Sequence, residues 1–298
     1  RTLLERVTGV VTGSDTRPDR PMSKSLALQY NLVGEGVVQG VRVVKTHFPE
    51  RQGYPVHVGQ KAIVLIRNPY DAIDSYWNFN LTNTHTETVT DEIYTRFAET
   101  FDNLAVNELG TWMRFHYYWW QHVSIPVIWV RFEDLILNTE QEMARIISFL
   151  NGQSELTDFW KARIRHACQK NGTTATLGSY RPRSASGDRR SIGKSLHRYS
   201  SKLLQRFQEE IQRYELFKGS TMLQYFGYDL EDGFPHNFVN HCAPLDCQEA
   251  RGGTESSMTI NVGPMVRPKN DPYGRAMRQW RHKHTNKDTE PFPTVTKR

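Results

Sequence analysis

The chain is poor in the features that define several large protein classes. Its 298 residues hold three cysteines, too few for a disulfide framework. No run of about eighteen apolar residues occurs, so this sequence contains no candidate membrane-spanning helix. No signal-peptide pattern is visible, and the chain starts at Arg1. No nucleic-acid motif is present, and no nucleic-acid partner is expected. No spaced set of His, Cys and carboxylate residues occurs that would hold a metal, so none is expected. Cys168 reads as an inert residue. Cys242 and Cys247 are close in sequence, and a pair in an oxidising compartment and two free thiols both stay open.

What is present is an apolar fraction of 38%, enough for one core, and a net charge of +6 with a sequence pI near 9.2. A basic surface is ordinary for solubility and also attracts anionic ligands. The chain is organised around residues 41–78. Val41–Val44 reads as a strand ending in Lys45-Thr46-His47, and Ala62–Ile66 as a second ending in Arg67-Asn68-Pro69. A helix start follows, with Asp71 and Ser75 in its first turns. Short apolar runs bounded by turn residues suit the strands of a parallel sheet covered on both faces. Ligands of such sheets sit outside the carboxyl ends of the strands, which would give Lys45, His47, Arg67 and Ser75 one rim.

These residues resemble the sulfotransferases that use 3′-phosphoadenosine 5′-phosphosulfate (PAPS). Lys45-Thr46-His47 is similar to the family's strand-end Lys-Thr-His, whose histidine is the catalytic base. Arg67 and Ser75 match the Arg and Ser that hold the donor's 3′-phosphate. The run from Arg67-Asn68-Pro69-Tyr70-Asp71 to Ser75-Tyr76 looks most like the sulfotransferase domains of WSC-domain proteins. The resemblance covers roughly residues 1–228. It implies an α/β, P-loop NTPase-like three-layer fold with a central parallel sheet flanked by helices. It also implies a 5′-phosphosulfate loop, which the resemblance places immediately upstream of Arg1. A membrane anchor, if the protein has one, would lie there too.

Along the chain, residues 1–9 read as the end of an amphipathic helix, with Leu3, Leu4 and Val7 on one face and Gly9 as its stop. Residues 12–36 read as an irregular connection with a short helix around Leu26–Tyr30, in a region that lies near the acceptor in the family. Residues 91–121 are helical in pattern, and the aromatics Trp112, Phe115 and Trp119 read as core, with His116 a packed or surface residue. Pro126–Arg131 reads as a third strand. Phe132-Glu133-Asp134-Leu135 after it resembles the family's Tyr-Glu-Asp-Leu turn, which implies that Phe132 lies against the adenine without the tyrosine hydroxyl. Asp134 reads as a structural acid. Thr139–Leu150 reads as a helix opened by a Thr139/Glu142 capping box, and Leu156–Cys168 as another. Residues 171–198 form a long basic loop. By resemblance it closes the nucleotide site, with Arg183 as phosphate contact and Arg181 second. Tyr199–Phe217 reads as a final helix. From Asp229 the composition turns to Pro, Gly and basic residues, which marks 229–298 as a tail outside the domain.

The resemblance implies sulfuryl transfer from PAPS to a hydroxyl or amine, with His47 as general base and Lys45 beside it. An unperturbed imidazole, with a pKa of about 6.5, keeps a neutral fraction near neutral pH. The guanidinium of Arg67 suits a phosphate because its fork makes paired charged bonds. The acceptor expected from the WSC-type resemblance is a glycan. That resemblance, the sequons at Asn80 and Asn171 and the Cys242/Cys247 spacing point to the Golgi lumen or membrane; a cytoplasmic enzyme with a small phenol or steroid acceptor is the alternative. Two further readings stand beside the enzyme: a catalytically degenerate nucleotide-binding scaffold, and a P-loop kinase. A kinase needs acidic magnesium ligands near the strand ends, where this chain carries Lys-Thr-His and Arg-Asn-Pro.

Overall fold

A computed structural model describes residues 1–49, 57, 59–83, 87–168, 193–212, 215–217, 220–228 and 296–297. The chain divides into two compact units. The first takes in Arg1–Ile66, His122–Gly187 and Asn240–Met265, and the second Arg67–Gln121, Asp188–Val239 and Val266–Arg298.

The first unit is built on parallel strand pairs. Gly13–Ser14 pairs with Val44–Lys45, and Ala62–Ile66 with Val127–Arg131, in register from Ala62 opposite Val127 to Ile66 opposite Arg131. The apolar runs at 62–66 and 127–131 therefore form the expected strands. The expected Val41–Val44 strand shifts to Val44–Lys45, and it pairs with two residues read from sequence as irregular. The helix Thr2–Thr8 ends where Gly9 takes φ +72°, a left-handed turn that glycine adopts without a Cβ clash. Its Val7 is fully buried with Ile128, Val130, Met143, Ile146, Ile147 and Ile164, which come from the strand Val127–Arg131 and the helices Thr139–Asn151 and Asp158–Cys168. Each such side chain contributes roughly 1.5–3 kcal/mol by leaving water.

The Thr139/Glu142 capping box does not form. Thr139 Oγ1 donates back to the Leu135 carbonyl at 2.8 Å, and Glu142 pairs with Arg145 at 2.6 Å. An i,i+3 partner of opposite charge draws the carboxylate away from the helix start. Arg145 in turn donates to the Trp129 carbonyl at 2.7 Å, tying this helix to the strand.

The second unit is helical, with an aromatic core. Pro69–Thr82 starts with Asn68 accepting from the Tyr70 amide and Pro69 in the first turn, where its missing N–H costs nothing. Residues 91–121 form two helices, Asp91–Arg96 and Ala98–Gln121, divided at Phe97. The expected helix over Tyr199–Phe217 is shorter, Ser201–Gln212, and Glu215–Phe217 is a strand paired with Ser220–Thr221. Tyr70 stacks on Phe207 at 5.8 Å, Trp77 meets Phe101 edge-on at 5.4 Å, and Tyr199 meets Tyr70 edge-on at 5.2 Å. Gly110 lies mid-helix because a Cβ there would come within 2.8 Å of the Glu210 carboxylate on the neighbouring helix.

His116 is a packed core residue, as its aromatic surroundings in sequence imply. Its ring centroid lies 4.2 Å from Trp112 and 5.7 Å from Phe226, and Nδ1 is 2.7 Å from the Trp112 carbonyl. Burial pushes its pKa down to about 4, so the folded protein holds the neutral ring. The unfolded chain binds this proton near pH 6.5, before the folded chain does. Stability from this site is complete above about pH 6.5 and declines as pH falls towards 4, by on the order of 3 kcal/mol in all. Urea unfolding at pH 7.5 and 4.5 should show this acid loss in the native chain and a smaller one in His116→Leu.

Candidate active site

Parallel pairing dictates what meets at the end of the first sheet. Ser14 lies opposite Lys45, so Asp15-Thr16 and Thr46-His47 leave their strands side by side at the carboxyl edge. Asp15 is fully buried. Its Oδ2 accepts from the Thr46 hydroxyl, which itself accepts from the Phe48 amide at 2.9 Å. The Asp15 amide donates to the Lys45 carbonyl at 3.0 Å. Its other oxygen, Oδ1, is buried without a donor among the described residues.

Lys45 is half-buried and reaches the Thr16 hydroxyl at 3.1 Å and His47 Nε2 at 2.9 Å. An ammonium only donates, so with Lys45 charged the imidazole nitrogen facing it must be the acceptor. His47 is exposed, and its Nδ1 lies 3.3 Å from the same Lys45 amine. Burial pulls the Lys45 pKa down, and the charges of Glu35 and Asp15 act against that. Glu35 is itself buried, in an ion pair with Arg1, and accepts from Ser23 Oγ at 2.9 Å.

Sequence reasoning missed Asp15. It lies in a connection without periodicity, and a two-residue strand is too short to display one. The one available signal was its place in the region expected near the acceptor.

At the end of the second strand pair, Phe132 opens the helix Phe132–Leu137 and is half-buried. Asp134 grips Arg131 with both oxygens, at 2.6 and 2.8 Å, the structural role expected of it.

In the second unit, Arg67 directly precedes the helix cap Asn68, and its carbonyl accepts from Trp112 Nε1 at 3.1 Å. Ser75 lies in the second turn of the Pro69–Thr82 helix, half-buried. A helix start with an adjacent arginine is a suitable anion site in charge and donors. Asn80 lies in the same helix, so its sequon sits on regular structure, with the Thr82 hydroxyl tied to the Asn78 carbonyl at 2.8 Å. Arg181, Arg183, Asn171, Cys242 and Cys247 lie outside the described residues. Cys168 is half-buried, and burial raises its thiol pKa. Among the described residues no cluster of His, Cys, Asp and Glu could hold a metal ion, and no helix is long and apolar enough to cross a membrane.

Residues 36–220 match the family model of the sulfotransferase domain. Rat sulfotransferase 1A1 is 31% identical over 113 residues, which cover 37% of this chain and 38% of that protein. A WSCD family member of Aedes aegypti is 30% identical over 152 residues, covering 51% of this chain and 45% of that protein. Mouse sulfotransferase 1A1 is 31% identical over 113 residues, covering 37% of this chain and 38% of that protein. The chain thus spans less than half the length of these curated relatives. No solved structure matches it.

The part-buried Thr46–Asp15 bond should be a measurable support of the first unit. Thr46→Val keeps the shape and removes the donor, leaving a buried carboxylate short of a partner, at a cost of about 2–3 kcal/mol. Thr46→Ser should recover most of it. Urea unfolding midpoints of the three proteins check this.

Proposed function

The chain belongs to the sulfotransferase domain family, and from that premise we propose that it moves a sulfuryl group from PAPS to a hydroxyl of a carbohydrate acceptor, with His47 as general base. The observation that carries the reading is the Lys45–His47 pair, an amine 2.9 Å from an imidazole that is exposed at the carboxyl edge of a parallel sheet.

The chemistry follows from those groups. The acceptor O–H gives its proton to a ring nitrogen of His47 as its oxygen bonds to sulfur. The bond from sulfur to the 5′-phosphate oxygen breaks, and 3′-phosphoadenosine 5′-phosphate leaves. Negative charge stays on the peripheral sulfuryl oxygens throughout, so the protein's task is positioning and electrostatic stabilisation. Lys45, whose burial strengthens its field, offsets that charge and orients the acceptor. In this reading Arg67 and Ser75 hold the 3′-phosphate, the first with a charged fork and the second with a neutral hydroxyl. Phe132 lies against the adenine. Arg183 and Arg181 belong to the donor site in this reading. No step calls for a metal. The carbohydrate acceptor and a Golgi location belong to this proposal through the WSC-type motif resemblance of residues 67–76 and the sequons at Asn80 and Asn171. Phenols enter the acceptor screen as the alternative implied by Lys45-Thr46-His47 with Pro49.

Calorimetric titration of 3′-phosphoadenosine 5′-phosphate into the full chain tests the donor half. Binding should be in the micromolar range and weaken at least tenfold in Arg67→Ala, the loss of about 1.4 kcal/mol expected when a charged pair is broken. Transfer of labelled sulfuryl groups to glycan and phenol panels tests the rest. His47→Ala should cost about 10²–10⁴-fold in turnover while leaving nucleotide binding intact. Nucleotide binding without transfer to any acceptor would favour a scaffold over an enzyme.

A further inference from the structure

The Pro69–Thr82 helix is gripped from outside by a segment far away in sequence. Asp71, at the third helical position, is 2% exposed. Its Oδ2 accepts from the Gly193 amide at 2.7 Å and its Oδ1 from the Ser195 amide at 3.1 Å, across more than 120 residues of chain. A turn later Asp74 Oδ2 accepts from Ser195 Oγ at 2.9 Å, and Asp74 Oδ1 accepts from the Tyr94 hydroxyl. The Tyr199 hydroxyl donates to the Tyr70 carbonyl at 2.7 Å. Gly193 holds φ +70°, a left-handed conformation that presents its amide to Asp71 and that a Cβ would strain.

The carboxylate suits this place. A negative charge in the first helical turn is favoured by the amide dipoles, and two N–H donors satisfy both oxygens, so its burial is tolerable. The position matters for a second reason. Residues three and four apart share a helix face, so Asp71 lies one turn before Ser75 on the same side and four residues after Arg67. Both residues assigned to the 3′-phosphate therefore flank the point where the helix is held. The Arg67 end is fixed separately, through the Asn68 cap and the Trp112 bond to the Arg67 carbonyl. The start of the helix is thus pinned on two sides, by Trp112 and by Gly193–Ser195.

We infer that Asp71 is a positioning residue for the nucleotide's 3′-phosphate: by clasping the Gly193 and Ser195 amides it fixes the first helical turn, which sets Ser75 relative to Arg67. It touches no ligand itself. The inference rests on the donor reading above, and it goes beyond it in assigning 3′-phosphate selectivity to a buried acid and two backbone amides.

The test compares 3′-phosphoadenosine 5′-phosphate with 5′-AMP, which lacks only the 3′-phosphate, by calorimetry on the full chain. Wild type should prefer the first. Asp71→Asn keeps the size and sets an amide group against an N–H donor, and it should cut that preference by about tenfold while leaving 5′-AMP binding nearly unchanged. Gly193→Ala loosens the same clasp from the other side and should act in the same direction, which keeps the test open if Asp71→Asn does not fold. Tyr94→Phe is the control for stability alone: it removes the hydroxyl bond to Asp74, spares both Asp71 bonds, and should lower the melting temperature without changing the nucleotide ratio. An unchanged ratio in the folded clasp variants overturns the inference, as does an equal fall in the ratio with Tyr94→Phe. A wild-type protein with no preference for the 3′-phosphate overturns the donor reading, and the inference with it, before any variant is examined.

Discussion

Two residues of strand pairing carry more of this molecule than their length suggests. Because Ser14 runs parallel to Lys45, the chain leaves both strands in the same direction. That single constraint brings a buried acid, a hydroxyl, a half-buried lysine and an exposed histidine into one hydrogen-bonded group. An antiparallel pairing would have sent Asp15 to the opposite edge from His47. The Thr46–Asp15 bond, the Lys45–Thr16 bond and the Lys45–His47 contact all follow from the direction of the pairing.

The charges of the first unit form a graded series. Buried Glu35 is paired with a half-buried Arg1, Asp15 is fully buried with one oxygen used, Lys45 is half-buried, and His47 is exposed. From Asp15 through Lys45 to His47, each group is closer to solvent. Buried charge inside such a series costs desolvation energy that its partners offset only in part, which is why the Lys45 pKa falls despite two acids nearby. The same low-dielectric setting strengthens the field that Lys45 exerts on anything bound at the rim.

How much of this could be read from sequence depends on range. The strand Ala62–Ile66 was legible because five apolar residues between turn formers leave few alternatives. The helix Thr2–Thr8 was legible from its spacing and from Gly9. The helix over 199–217 was drawn too long, because Tyr214 and Phe217 extend the apolar stripe past the point where the chain becomes a strand at Glu215. The Thr139/Glu142 signal was correct in residue type but lost to Arg145, a competitor that the pattern does not weigh. Lys45, His47, Arg67 and Ser75 were assigned through the family resemblance of two short motifs. Asp15 and the Asp71 clasp were not, since each depends on partners about 30 and 120 residues away. Local periodicity carries no information over such distances.

Among the described residues the strand Ala62–Ile66 is paired along one edge only, and Leu65 is 59% exposed. An apolar strand edge is, until covered, a template for any extended chain it meets, including another copy of itself. The strand is therefore a hazard during synthesis as well as a scaffold afterwards. Chains that reach high local concentration before this edge is covered will tend to join through it, so the yield of active protein depends on the order in which segments fold.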